Sequence, residues 1–549
     1  MSLKKLQVLI IATIVAASGV AAGGIVAYFY FKNLAEKAFS PQEIAKVIPQ
    51  EAIMATFITP NPGALIQLQK FGTPEAQKMI GFGLNELRKQ SFAGTDIDFN
   101  RDIQPWIGGI GVALLPPTEI NKNEPPKLLM IVSIKDKIKA WNFANKLQGQ
   151  QGAKTEESEY KGVKINHVTE KSGKRYSLAL LGDRLAIAPY KQTLETAIDT
   201  FQGKTTLANQ QAASAIFAKS TELPNQIATI FVADYSSFVQ QLNANLLDNS
   251  KISSTALSQF KQVKSVVMAV GVDPQGVRLR VVSQLDASLA KQGKPQIGSK
   301  LLGRFPAETV AVIGGKGLNR IWSQVGNDAK DNPEVAKGIL QLKQGFERLN
   351  LNADRDIFGW MDGEFALGAI ASNQGILSQF GMGGTMIFET SNRVQAEATL
   401  KKLDAIASSN PSVSVASRKV KNTDVTEWQI PQQGTVFGHG WLNTNSVFIA
   451  FGGPLIDVIT APPQPIKNNT HSSVTIANFL PQPSQGYFYL DVEKTMSWAN
   501  RYLLPVQPNL IPQPTIEILN SIQGIGISTT FPEPSTAQVD MLLGIKPKT

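Results

Sequence analysis

Arg101-Asp102-Ile103-Gln104-Pro105-Trp106-Ile107-Gly108-Gly109 and Arg355-Asp356-Ile357-Phe358-Gly359-Trp360-Met361-Asp362-Gly363 both read R-D-I-x-x-W-x-x-G, 254 residues apart. The flanks agree in order and spacing. Pro49-Gln50-Glu51-Ala52-Ile53 answers Pro306-Ala307-Glu308-Thr309-Val310 at an offset of 257, and Phe231-Val232-Ala233-Asp234 answers Phe488-Tyr489-Leu490-Asp491 at the same offset. Ser265–Gly271 answers Ser521–Ile527 at 256. Collinear matches at a nearly constant offset predict two tandem homologous units, at about 48–288 and 304–546, joined by a polar, glycine-containing linker over 289–303. The period is far longer than the roughly 20–50 residues of a solenoid repeat, so the expectation is duplicated domains.

Within each unit, short apolar runs alternate with helical patterns. Ile53–Ile58 and Val310–Ile313 read as buried strands, and glycine-punctuated runs follow each tryptophan at Ile110–Leu115 and Phe365–Ile370. Leu128–Val132 and Thr385–Phe388 read as further strands, each leading into an amphipathic helix. The expected apolar faces are Ile138, Trp141 and Ala144 in the first unit and Ala396, Leu400 and Leu403 in the second. Tyr176–Leu181, a Gly182-Asp183 turn and Leu185–Ala188 predict a hairpin, with Val436–Leu442 and Val447–Ala450 as its counterpart. Helices follow at Thr193–Phe201 and Leu455–Ile459, and Asp234 and Asp491 are placed to cap later helices. Strand pairs at Val266–Val272 with Val277–Ser283, and at Ile522–Ser528 with Gln538–Leu543, close the units. Neighbouring strands in pairs predict an α+β fold with mostly antiparallel sheets and packed helices.

Leu6 to Phe31 is a run of 26 uncharged residues that ends in Tyr28-Phe29-Tyr30-Phe31. A spanning helix needs about 20 apolar residues, a cleavable signal core about 7–15, and aromatic side chains favour the bilayer interface. The run therefore reads as an uncleaved transmembrane signal-anchor over 6–31, behind a short tail at 1–5 and ahead of a polar stem at 32–47. Lys4 and Lys5 at one end nearly balance Lys32 and Lys37 at the other. The signal-anchor position and the lack of cysteine place the body on the exported side.

The 549 residues carry 53 Lys+Arg and 43 Asp+Glu, a net +10, but only 17% are charged, and the +10 is dispersed. No Lys/Arg run with interleaved aromatics signals nucleic-acid binding. The absence of cysteine excludes disulfide scaffolds, thiol catalysis and iron–sulfur sites. The three histidines, His167, His439 and His471, form no metal-ligand pattern, and His439 in Gly438-His439-Gly440-Trp441 reads as a turn residue without a ligand role. Gly314-Gly315-Lys316-Gly317 and Gly381-Met382-Gly383-Gly384 lack phosphate-loop spacing and read as turns. Asp362 and Glu364 share one side of a strand without fixing a catalytic separation.

The polar candidates are therefore the repeated Arg101, Asp102, Trp106, Gly109, Arg355, Asp356, Trp360 and Gly363. They form either a paired interaction site or, as the favoured reading, a brace with tryptophan filling the core. No catalytic, cofactor-binding or metal-binding residues are expected.

The apolar N-terminus, the Pro49–Ile53 strand motif and the D-I-x-x-W-x-x-G block at Asp102 and Asp356 resemble the domain-of-unknown-function 3352 family, in particular its cyanobacterial members, over about residues 40–546. That family has no established activity. The resemblance implies a membrane-anchored, exported setting at the plasma or thylakoid membrane, and brings no catalytic residues. Two functions are open at this stage. One is a non-enzymatic interaction or scaffold module with a membrane-protein partner. The other is a bilayer-tethered carrier of lipid or another apolar ligand. A hydrolase would require a convergent set of Asp, Glu, Ser or His that no motif supplies.

Overall fold

The computed structural model describes residues 41–286 and 301–548, apart from 59–60, 75–76, 78–100, 103–104, 117–126, 149–153, 170–172, 174, 210–222, 245–260, 329–332, 463–483 and 509. The expected anchor at 6–31 lies outside the described residues, among which no helix is long and apolar enough to cross a membrane. The described residues divide into two compact units, one over 41–286 and the other over 301–546.

The first unit begins with α1 (Pro41–Ala45) and β1 (Met54–Ile58), followed by α2 (Pro62–Leu68), β2 (Ile107–Leu115), β3 (Lys127–Ile134) and α3 (Lys137–Gln148). A four-strand meander comes next: β4 (Lys154–Tyr160), β5 (Val163–Thr169), β6 (Arg175–Leu181) and β7 (Arg184–Ala188). The unit ends with α4 (Lys191–Phe201), β8 (Gln226–Val232), α5 (Tyr235–Ala244), β9 (Val263–Asp273) and β10 (Gly276–Leu285). Antiparallel ladders set the order β10-β9-β8-β1-β2-β3-β7-β6-β5-β4.

The second unit holds β11 (Thr309–Lys316), α6 (Leu318–Asp328), α7 (Pro333–Glu347), β12 (Glu364–Ala371), β13 (Met382–Glu389) and α8 (Arg393–Ser408). Its meander is β14 (Ser414–Val420), β15 (Thr423–Ile430), β16 (Gly434–Trp441) and β17 (Ser446–Phe451). Then come α9 (Gly453–Ile459), β18 (Gly486–Asp491), α10 (Val492–Trp498), α11 (Gln513–Asn520), β19 (Ile522–Glu533) and β20 (Thr536–Ile545). The order is β20-β19-β18-β11-β12-β13-β17-β16-β15-β14, again antiparallel throughout. The fold is α+β, and the two strand orders are the same.

Central strands are buried on both faces, which is why they read as unbroken apolar runs. Along β3, Leu129 and Ile131 join one core with Phe57, Leu194, Ile198 and Phe231, while Val132 and Ile134 join another around Trp106. Along β17, Phe448 and Ala450 face one core and Val447 and Ile449 the other, around Trp360. Successive side chains on a strand point to opposite faces, so one strand serves two layers. Ile44, Ala45 and Val47, within the stretch read as stem, are buried in the first of these cores together with Ile48.

Several local readings are corrected. The expected core face of α3 points to solvent: Ile138 is 75% and Trp141 66% exposed, and Ala144 is exposed as well. Ala140 and Phe143 pack inward instead. In α8 the expected face holds, with Ala396 and Leu400 buried and Leu403 packed on the same core. Gly314 and Gly315 lie inside β11, and Gly383 and Gly384 inside β13, rather than in turns. A Cβ on Gly314 would lie 2.2 Å from the Tyr487 ring, so close packing of Tyr487 of β18 requires glycine there. The expected caps are present: the Ser237 backbone N–H donates to Asp234 and that of Lys494 to Asp491, each at 2.9 Å.

Candidate functional site

In the second unit the motif sits on a single π-turn, Ala353–Ile357, immediately before Trp360. Its entry is capped reciprocally. The Arg355 N–H donates to Asn352 Oδ1 at 2.8 Å, while the Asn352 N–H donates to Asp356 Oδ2 at 2.9 Å. This is capping-box logic, satisfying donors that the turn leaves without partners. Arg355 Nε and Nη2 donate to the two oxygens of Asp356 at 3.0 and 3.3 Å, and Lys402 Nζ of α8 approaches at 3.3 Å. Asp356 is buried. Its carboxyl is held well below the usual range by the Arg355 guanidinium, the Asn352 N–H and Lys402, which together outweigh burial. The Asp356 carbonyl accepts from Trp360 Nε1 at 3.1 Å and from Thr399 Oγ1 of α8 at 2.5 Å. Trp360 is 2% exposed and meets Phe388 edge-on, ring centroids 5.6 Å apart.

The first unit repeats the plan. Arg101 Nε and Nη2 donate to Asp102 Oδ1 and Oδ2, each at 2.9 Å, and Lys146 Nζ of α3 donates to Oδ2 at 2.6 Å. Trp106 Nε1 donates to the Asp102 carbonyl at 2.8 Å, and the indole lies buried, 5.5 Å from the Phe143 ring. Ile103 lies outside the described residues. In each copy, then, the aspartate ties the turn to the following helix while the tryptophan plugs the sheet.

The motif's final glycines differ. Gly363 precedes β12, and a Cβ there would lie 2.4 Å from the Glu389 carbonyl oxygen, so only glycine admits that approach. Gly109 lies within β2, where the register with β3 shifts between Ile107 and Ile110. The eight sequence-selected residues thus form two local braces, one per unit, whose polar groups are turned on one another.

Sequence reasoning missed Lys146, Lys402 and Thr399. The two lysines follow their aspartates by 44 and 46 residues, and that matched spacing is a signal the repeat comparison carries. It also missed an outer layer on the second turn. Trp322 Nε1 donates to Asp354 Oδ1 at 2.6 Å, Lys343 Nζ to Asp354 Oδ2 at 2.7 Å, and the Trp322 ring stacks on Phe358 at 4.2 Å. Lys343 first and Trp322 second lower the Asp354 carboxyl.

His439 is not at a turn: it lies within β16, buried, its Nε2 2.9 Å from Asp404 Oδ1, which also accepts from Trp428 Nε1 at 2.8 Å. His167 bridges Ser158 and Ser177 across β4, β5 and β6, at 2.8 Å to each hydroxyl. Asp362 accepts from the Ser391 N–H at 2.9 Å and from its hydroxyl; burial opposes its ionisation, but these donors leave the carboxyl lowered. Among the described residues no group of three or more His, Asp or Glu side chains is placed to hold a metal ion.

Fold and motif together define an α+β protein with antiparallel sheets in which a recurrent Arg-Asp-turn-Trp unit locks sheet to helix. The chain belongs to the family described as Protein of unknown function (DUF3352), whose sequence profile matches residues 11–545. No curated protein matches the sequence. Among solved structures, crystal form IV of TP0453 is similar over 45% of this chain and 81% of that one, at 7% identity and a TM-score of 0.27. Crystal form III of TP0453 is similar over 46% and 82%, at 8% identity and a TM-score of 0.26.

Proposed function

We propose that the protein is a single-pass, membrane-anchored interaction module without enzymatic activity, its body built from two copies of one duplicated α+β unit. Residues 6–31 serve as the anchor, and the body lies on the exported side of a plasma or thylakoid membrane. The observation that carries the reading is the internal use of the repeated motif. Asp102 and Asp356 are each held by an adjacent arginine and a helix lysine, and each tryptophan N–H is spent on the carbonyl of its own aspartate. A catalytic carboxylate needs a free lone pair and an open approach to substrate; these two are committed to architecture. The equal strand order of the two units and the matched braces support duplication. A body of two like units on a tether suits binding better than turnover, because tethering raises effective concentration without any new contact.

The test is affinity capture of the full-length chain from chemically crosslinked membranes, with proteins and lipids both identified. Enrichment of one membrane-protein complex is the expected result. Enrichment of phospholipid with no stable protein partner overturns the reading in favour of a lipid carrier.

A further inference from the structure

The outward face of α3 pairs apolar side chains with positive charge. Ile138 and Trp141, one turn apart, are 75% and 66% exposed, and Ala144 continues the stripe. Lys137 and Lys139 flank them and are exposed, Lys139 also lying 3.5 Å from Asp136 Oδ2. Over 135–148 there are four lysines against one aspartate, Asp136, whose carboxylate caps the helix through the Lys139 N–H at 3.0 Å. Lys146 is drawn to the other side by Asp102. The inward face, Ala140 and Phe143, is already packed on the Trp106 core, so the outer stripe is not needed for folding.

From these features we infer that the α3 face of the first unit docks on an anionic bilayer surface, Ile138 and Trp141 entering the headgroup region while Lys137 and Lys139 meet lipid phosphates. Tryptophan suits that depth because its ring is apolar and its N–H is polar, and each lysine near an anionic surface adds electrostatic attraction. The inference rests on the tether proposed above. Residue 41 already belongs to the first unit, whose core holds Ile44, so nine residues, 32–40, separate the anchor from it. Fully extended they reach about 30 Å, which keeps this unit at the bilayer and makes a weak face sufficient. The matching first turn of α8 exposes Val394 at 79% but carries an Arg393–Glu397 ion pair at 2.7 Å, and Glu397 stands where α3 has Trp141. That face lacks both the indole and the excess charge.

The chain has no cysteine, so one introduced thiol labels uniquely. Full-length Ile138→Cys and Val394→Cys, each carrying an environment-sensitive nitrobenzoxadiazole probe, are reconstituted into phosphatidylglycerol–phosphatidylcholine vesicles and into pure phosphatidylcholine vesicles. The expected result is a blue-shifted probe 138, quenched by bilayer-embedded bromolipid, in anionic vesicles only. The shift reverses in high salt, and Lys137→Glu lowers the embedded fraction at least about fivefold. Probe 394 stays aqueous throughout.

An aqueous probe 138 in anionic vesicles overturns the docking, as does a shift that disappears when protein is diluted at constant lipid, which indicates a second copy on that face. Alkaline extraction of the same vesicles reads the anchor separately. Extraction-resistant chain with an aqueous probe refutes the docking and leaves the tether. Extractable chain with a lipid-dependent shift refutes the tether and leaves the docking.

Discussion

Replacing Trp360 with alanine separates a brace from a binding site. The indole is 2% exposed, lies edge-on to Phe388 at 5.6 Å, and donates to the Asp356 carbonyl at 3.1 Å. Truncating a buried tryptophan costs about 3–5 kcal/mol, cavity included. The lost hydrogen bond stays near the low end of about 0.5–1.5 kcal/mol because Thr399 Oγ1 still donates to the same carbonyl, so the acceptor is not stranded. A total of about 4 kcal/mol follows, a large share of the roughly 5–15 kcal/mol that stabilises a domain. Hydrogen exchange on the full-length chain is the assay. Amides of β12 and β13 are expected to lose protection by about a thousandfold, and Trp360→Phe, which keeps most of the volume, by far less. A Trp360→Ala chain with unchanged protection in β12 and β13 but no partner capture would refute the reasoning and make the tryptophan part of a recognition surface.

Other outcomes follow from the same contacts. Asp199 accepts from Lys161 at 2.5 Å and Lys204 at 2.6 Å, pinning the β4–β5 turn to α4, and these bonds, Lys161 first, hold its carboxyl at about 2 rather than 3.8. A depressed carboxyl contributes stability above its unfolded value that is lost as pH falls through the folded one. The melting difference between wild type and Asp199→Asn should therefore be full at pH 5 and shrink towards pH 2; a constant difference contradicts the pinning. Gly363→Ala should destabilise the second unit in chemical denaturation by about 1–3 kcal/mol, because its Cβ would meet the Glu389 carbonyl oxygen at 2.4 Å. An unchanged midpoint would show that β12 and β13 separate freely there.

The parts of the fold legible in the sequence are those where period and punctuation agree. The β6–β7 hairpin was readable because two apolar runs flank Gly182, whose φ of +68° suits the turn. The β4–β5 hairpin was not. Lys154–Tyr160 is KTEESEY, almost wholly exposed, so its strand state comes from pairing and from the Lys161-Gly162 turn, at φ +50° and +77°. Polar edge strands carry little apolar alternation by design against aggregation, and so leave little signal. Helix α3 misled for another reason: Ile138, Trp141 and Ala144 keep helical spacing as well as Ala140 and Phe143 do, and periodicity alone does not say which stripe meets the sheet. The braces were half readable. Arg, Asp and Trp stand out through repetition, whereas Lys146, Lys402 and Thr399 reach them only through the packing of α3 and α8. His439 looked like a turn residue because glycines flank it. In β16 those glycines give room instead, since a Cβ at Gly438 would lie 2.3 Å from Ile456.

Residues 6–31 are proposed to hold the body at a bilayer, and alkaline carbonate extraction of cell membranes tests this most directly. The full-length chain should stay in the membrane pellet, whereas a chain lacking residues 6–31 should move to the supernatant. Release of the full-length chain by carbonate, or retention of the shortened one, would contradict it.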